Sequence, residues 1–172
     1  MNAKPSEIVR LAQTWCFGWE FCPPSHIVVE LGRPRGGFWF PPTGDKPAWI
    51  SIGHEDGFDL LYHEVFHGVV HKSPFGKSSE GWWTEGFCNA FSEFARNEFY
   101  PFSREKMVRD SRHHREYLGA CLALREHVVG CGWDPFEELR NLWHYANAGR
   151  LSADQFSKLV GYNPKTGEFT PA

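Results

Sequence analysis

Apolar and polar positions alternate in short runs up to about residue 53, and from Asp56 onward they recur every three to four residues. His26 to Leu31 places Ile27, Val29 and Leu31 on one face. Phe38 to Phe40 is aromatic, and Ala48 to Gly53 alternates Ala48, Ile50 and Ile52 with Trp49 and Ser51. Pro23-Pro24, Gly36-Gly37, Pro41-Pro42 and Gly44 punctuate these runs. They predict a small twisted sheet of about three strands, preceded by a short helix over residues 5–16.

The later pattern is helical. Leu61, Val65 and Val69 repeat every four residues with Tyr62 and Phe66 beside them, predicting a helix over about residues 57–71. After the loop from Lys72 to Ser79, Phe87, Phe91 and Phe94 form a stripe that predicts a second helix over about 82–100, stopped by Pro101. Ser103 precedes a long helical run that fades at Gly130. Asp134-Pro135-Phe136-Glu137 then supplies an N-cap, a proline at the first helical position and a capping-box acid, with Gly149 as the stop. Ser152-Ala-Asp-Gln155 repeats the capping box before a last short helix ending near Gly161. The prediction is an α+β chain: sheet, two helices, then a helical lobe from about residue 101, together a single compact domain over 1–172.

Composition narrows the classes. With 172 residues, 41% hydrophobic and 23% charged, the chain has the apolar content for a core and too little charge for disorder. Eight Trp and fifteen Phe supply large rings, most of them expected in that core. A net charge of -3 argues against sequence-independent binding to nucleic acid. No run approaches the roughly 18 apolar residues of a membrane span, and Met1 to Arg10 lacks a signal-peptide pattern, so no membrane partner and a cytoplasmic location are expected. Cys16, Cys22, Cys88, Cys121 and Cys131 are irregularly spaced without a Cys-x-x-Cys pair. They read as buried free thiols.

The chemistry concentrates in His63-Glu64-Val65-Phe66-His67, an H-E-x-x-H pattern inside the first periodic helix. Residues four apart on a helix are related by about 400° of rotation and about 6 Å of rise, so both imidazoles leave one side and are able to share an ion. Glu64, offset by about 100°, is placed to hydrogen-bond an attacking water without joining the ligands. Leu61, Val65 and Val69 form the opposite, packing stripe. Seventeen residues past His67 lies Trp82-Trp83-Thr84-Glu85-Gly86-Phe87, where Glu85 would complete a His2Glu set with one position open.

The pair His63-Glu-Val-Phe-His67 and Trp83-Thr-Glu-Gly-Phe87 resembles the gluzincin zinc metallopeptidases, the group that includes thermolysin and the aminopeptidase N family. The resemblance covers about residues 48–100. It implies a zincin-like fold, one Zn2+ per chain held by His63, His67 and Glu85, Glu64 as the catalytic general base, and a peptide or protein substrate. It also implies that the strand from Ala48 to Gly53 borders the cleft and offers backbone groups to an extended peptide. An oxyanion donor from the region after the glutamate helix is implied too, with Tyr117, His127, His144 and Tyr145 as candidates. The Gly-x-Met-x-Asn element of the aminopeptidases is replaced by Trp49-Ile-Ser-Ile-Gly53, which favours an endopeptidase.

Other residues were weighed against this set. Asn89, four after Glu85, is a candidate partner for a ligating histidine or a solvated position. His71 lies about 12 Å along the axis from His63, too far to share the ion. A metzincin requires a third His where Ser73 stands, and Cys16 and Cys22 do not reproduce a deformylase motif. The basic stretch from Arg104 to Arg115 reads as a solvated helix face. Two rival functions share the core residues: a non-catalytic module with a structural zinc, and a zinc hydrolase of a non-peptide amide or ester.

Overall fold

The computed structural model describes residues 6–8, 10, 27–33, 36–53, 59–68, 81–109 and 112–170. The protein is mixed α+β, mostly helical with a small sheet. By internal contacts the chain forms two compact units, Met1–His71 and Lys72–Ala172.

In the first unit, β1 (Ile27–Arg33), β2 (Gly37–Phe40) and β3 (Ala48–Gly53) make a three-stranded sheet in the order β1-β3-β2. β1 runs parallel to β3, with Ile27 opposite Ala48, and β2 runs antiparallel to it, with Gly37 opposite Ile52. All three strands fall on the runs read from the sequence, two by their alternation and the one at Phe38 to Phe40 by its aromatic residues. Ala48, Ile50 and Ile52 are buried on one face of β3, as their period of two requires. On β2 the exposed Phe38 and its neighbour Phe40 share the other face, where Phe40 stacks on Trp49 at 3.9 Å between centroids.

α1 (Asp59–His67) follows, with Leu61, Val65 and Phe66 fully buried. Its last turn closes on Gly68, whose N–H donates to the Val65 carbonyl at 3.0 Å. Gly68 is the position where the Trp39 indole approaches: a Cβ there would stand 2.9 Å from Trp39 Cη2 and 3.0 Å from the Val65 oxygen. Helix and sheet edge are thereby brought together. The predicted continuation through Val69 to His71, the helix over most of 5–16, Cys16, Cys22 and the loop from Lys72 lie outside the described residues.

The second unit is built on α2 (Gly81–Arg96), which crosses α4 (Arg112–Cys131) closely. The crossing is set by Gly86, where a Cβ would stand 2.7 Å from Ala120 Cβ and 3.1 Å from its carbonyl carbon. Trp83 and Phe87, one turn apart on α2, enter an aromatic core with Trp143, Phe156 and Tyr162. α2 ends earlier than the proline implied. Asn97, at φ 54°, takes the left-handed turn; its N–H donates to Phe94 and that of Glu98 to Glu93, a Schellman closure that satisfies the last carbonyls.

The run after Ser103 is two helices, α3 (Arg104–Arg109) and α4. Within the basic stretch Arg104 is engaged structurally, donating to Glu126 at 2.5 Å and to the Thr170 carbonyl at 3.3 Å. The side chains from Arg112 to Tyr117 lie outside the described ones. α5 (Pro135–Asn147) begins as predicted: the Asp134 carboxylate accepts the Glu137 N–H at 2.9 Å with Pro135 at the start. α6 (Ala153–Val160) has the full Ser152/Gln155 capping box and ends on Gly161 at φ 70°. A hairpin of β4 (Tyr162–Asn163) and β5 (Glu168–Phe169) closes the chain. The sequence reading missed it, because two-residue strands carry no period. Among the described residues no helix is long and apolar enough to cross a membrane.

The helical unit also buries a carboxylate. Glu93 is fully buried and accepts from Arg125 at 3.2 Å and from the Tyr100 N–H at 2.9 Å. Arg125 also donates to the carbonyls of Tyr100 and Phe102 at 3.1 Å each and lies 4.7 Å from the Phe102 ring centre. Burial pushes the Glu93 carboxyl above its ordinary range, opposed by the Tyr100 N–H and Arg125. The neighbouring Cys121 is the buried free thiol expected for it, and burial, then Glu93, pushes its thiol well above the ordinary range.

Candidate metal centre

The histidines of α1 stand where helical spacing requires. Their Nε2 atoms are 3.1 Å apart and their rings are nearly perpendicular, at 81°. Two nitrogens held about 2.0–2.1 Å from one tetrahedral ion stand about 3.3 Å apart, so the pair is close to a bidentate metal seat. The same separation serves an N–H···N hydrogen bond between opposite tautomers. Both side chains are half-buried, on the flank away from the packed stripe of Leu61 and Val65. Among the described residues, the ligand atoms of His127, Cys131 and Glu138 also lie within 4.8 Å of one another, wholly inside the second unit.

Glu64 is placed differently from the simple reading in which it faces an open site beside the histidines. It is 4% exposed, and its carboxylate lies against the backbone of β2 at Gly37. A Cβ at Gly37 would come within 2.7 Å of Glu64 Cγ and 2.8 Å of Cδ. The second glycine of Gly36-Gly37 therefore reserves the space that the carboxylate occupies, a role that its reading as strand punctuation did not reveal. The only sequence signal was a glycine inside an aromatic strand, which marks close approach of a neighbour.

The strand expected to border the cleft is corrected by the same geometry. β3 is central, its backbone paired with β1 on one side and β2 on the other, so it has no edge to offer a peptide. β1 and β2 are the edge strands among the described residues, and it is β2 that touches Glu64. Alternation along a single run cannot report strand order, because order depends on which partners the folded chain brings to each side.

Glu85 lies in the second unit, half-buried on α2 just past its first turn. Its neighbours explain the motif: Trp83 and Phe87 anchor the helix in the aromatic core, and Gly86 lets it seat on α4. The carboxylate thus projects from a backbone fixed on three sides. Asn89, one turn on, is also half-buried. The structure brings His63, Glu64 and His67 together within the first unit and places Glu85 and Asn89 on one helix of the second.

Of the oxyanion candidates, Tyr117 sits on α4 with its side chain outside the described ones. His144 and Tyr145 are exposed on α5, and His127 is engaged with Cys131 and Glu138. Their placement does not single one out. Compared with protein-family models, curated proteins and solved structures, the chain matches none.

Proposed function

We propose that the protein is a zinc-dependent metallopeptidase in which His63 and His67 hold a single Zn2+, Glu85 is the third ligand that the motif resemblance implies, and Glu64 is the general base. The observation that carries this reading is the convergence of the two imidazole nitrogens at 3.1 Å on a helix whose intervening Glu64 is buried against a sheet edge. Two neutral imidazoles and a carboxylate suit zinc and leave a coordination position open, the arrangement of catalytic rather than structural sites. Zinc bound there would supply Lewis acidity, polarising the scissile carbonyl and lowering the pKa of water toward about 7.

The residues supply the remainder. Glu64 accepts the proton of the attacking water and passes it to the departing amine, a transfer favoured by its shielding from bulk solvent. β2, at an edge of the sheet among the described residues, lies beside that carboxylate and would align an extended peptide with it. This supports an endopeptidase acting on extended segments.

Elemental analysis of protein prepared without added metal tests the site. The wild type is expected to carry near one zinc attributable to it, and His63→Ala and Glu85→Ala to lose that zinc. Zinc unaffected by Glu85→Ala places the third ligand elsewhere. In a broad peptide-library assay, Glu64→Gln is expected to keep the metal and lose turnover; an active Glu64→Gln protein contradicts the mechanism.

A further inference from the structure

A second donor cluster lies wholly within the helical unit. His127 and Cys131 are one turn apart at the end of α4, and Glu138 is on the first turn of α5. His127 Nε2 is 3.6 Å from Cys131 Sγ and 3.5 Å from Glu138 Oε1. A tetrahedral ion with sulfur at about 2.3 Å and nitrogen at about 2.05 Å holds those atoms about 3.5 Å apart, and nitrogen and oxygen about 3.4 Å apart. Both separations from His127 therefore match what one ion requires, and the ligand atoms of all three residues lie within 4.8 Å of one another.

The backbone fixes this meeting. Gly132, at φ 68°, ends α4, and Asp134 caps α5, so only Gly132-Trp133-Asp134 connects the two helices. Such a short, capped connection leaves little freedom at the corner, and the donors do not have to be gathered from a mobile loop. Cys131 is the last residue of α4, where the exposed carbonyl ends favour a cation. His127 and Glu138 are half-buried and Cys131 is the most open of the three, so the cluster is accessible to an ion.

We infer that His127, Cys131 and Glu138 form a second metal site, for a borderline divalent transition-metal ion of the Zn2+ type, clamping the end of α4 to the start of α5. The donor chemistry selects the class. A thiolate discriminates against Mg2+ and Ca2+, whereas imidazole and carboxylate beside one sulfur suit Zn2+ better than a purely soft ion. Three protein ligands leave the fourth position to water. On binding, the Cys131 proton is released to solvent and the thiolate forms the metal–sulfur bond, with no change of oxidation state.

Cobalt(II) is the probe, because only a sulfur ligand gives a thiolate-to-cobalt charge-transfer band, and the proposed His63, His67 and Glu85 set contains no sulfur. The full-length chain, stripped of metal and titrated with Co2+ under reducing conditions, is expected to develop that band to saturation at one equivalent of band-forming metal. Added Zn2+ should abolish it. Cys131→Ser should lose the band, and Glu138→Gln should keep it while binding at least tenfold more weakly. If Cys131→Ser proves unfolded by circular dichroism, His127→Gln takes its place, with at least tenfold weaker band formation expected. No band at saturating Co2+ would mean a hydrogen-bonded cluster only and overturn the site. So would a band that survives in folded Cys131→Ser, or undiminished affinity in both Glu138→Gln and His127→Gln.

Discussion

Gly37→Ala separates the chemistry of Glu64 from the stability of the sheet. The added methyl would stand 2.7 Å from Glu64 Cγ and 2.8 Å from Cδ, whereas ordinary carbon contacts fall at about 3.5–4.0 Å, so the carboxylate must retreat by about 1 Å. For a base that must meet a water, a misplacement of about 1 Å costs about 100-fold in rate. The folding cost is smaller. Alanine in a strand gains about 0.5–1 kcal/mol over glycine, and overpacking costs about 1–3 kcal/mol. Here the obstacle is a flexible side chain, so a net loss of about 0–2 kcal/mol is expected. Gly68→Ala is the contrasting control: its methyl meets the rigid Trp39 ring and the Val65 carbonyl, so its loss falls on stability. The assay pairs kcat/KM on a cleaved library peptide with zinc content and urea midpoints for both variants. A Gly37→Ala protein with wild-type kcat/KM and full zinc would refute the assignment of Glu64, in this position, as the base.

Other perturbations follow from the helical unit. Arg125→Met leaves the fully buried Glu93 without its cation and is expected to lower unfolding free energy by about 3–5 kcal/mol in urea titrations at neutral pH; a loss below about 1 kcal/mol would contradict the buried-pair reading. Because burial raises the Glu93 carboxyl in the folded state, the folded chain holds that proton more tightly than the unfolded chain. Its contribution is fully present below about 4.5 and is lost as pH rises through the folded value, so Glu93→Gln should flatten stability against pH on that limb, and an unchanged slope would refute it. Gly86→Ala brings a methyl onto the backbone at Ala120 and should cost about 1–3 kcal/mol despite alanine's better helix propensity; a more stable variant, measured by urea midpoint, would show that the α2–α4 crossing yields easily.

The sequence by itself determined the local elements. Alternation located β1 and β3, the aromatic run located β2, and the caps at Asp134, Ser152 and Gly161 located ends of α5 and α6, because these signals act within a few residues. The meeting of His63 with His67 was legible for the same reason: one helical turn fixes it. α2 ended at Asn97 instead of near Pro101 because a left-handed asparagine closes the last carbonyls before the proline is reached.

Only tertiary structure decided the relations between distant segments. Strand order made β3 central and put β2 at an edge. Close packing of α1 on β2 turned Gly37 into the seat for Glu64. The folding of α5 back along α4 joined Glu138 to His127 and Cys131, turning a cysteine expected to be a buried thiol into a donor in a cluster. These features depend on which surfaces are buried against each other, and residues far apart in sequence leave no periodic trace of a contact that packing alone selects.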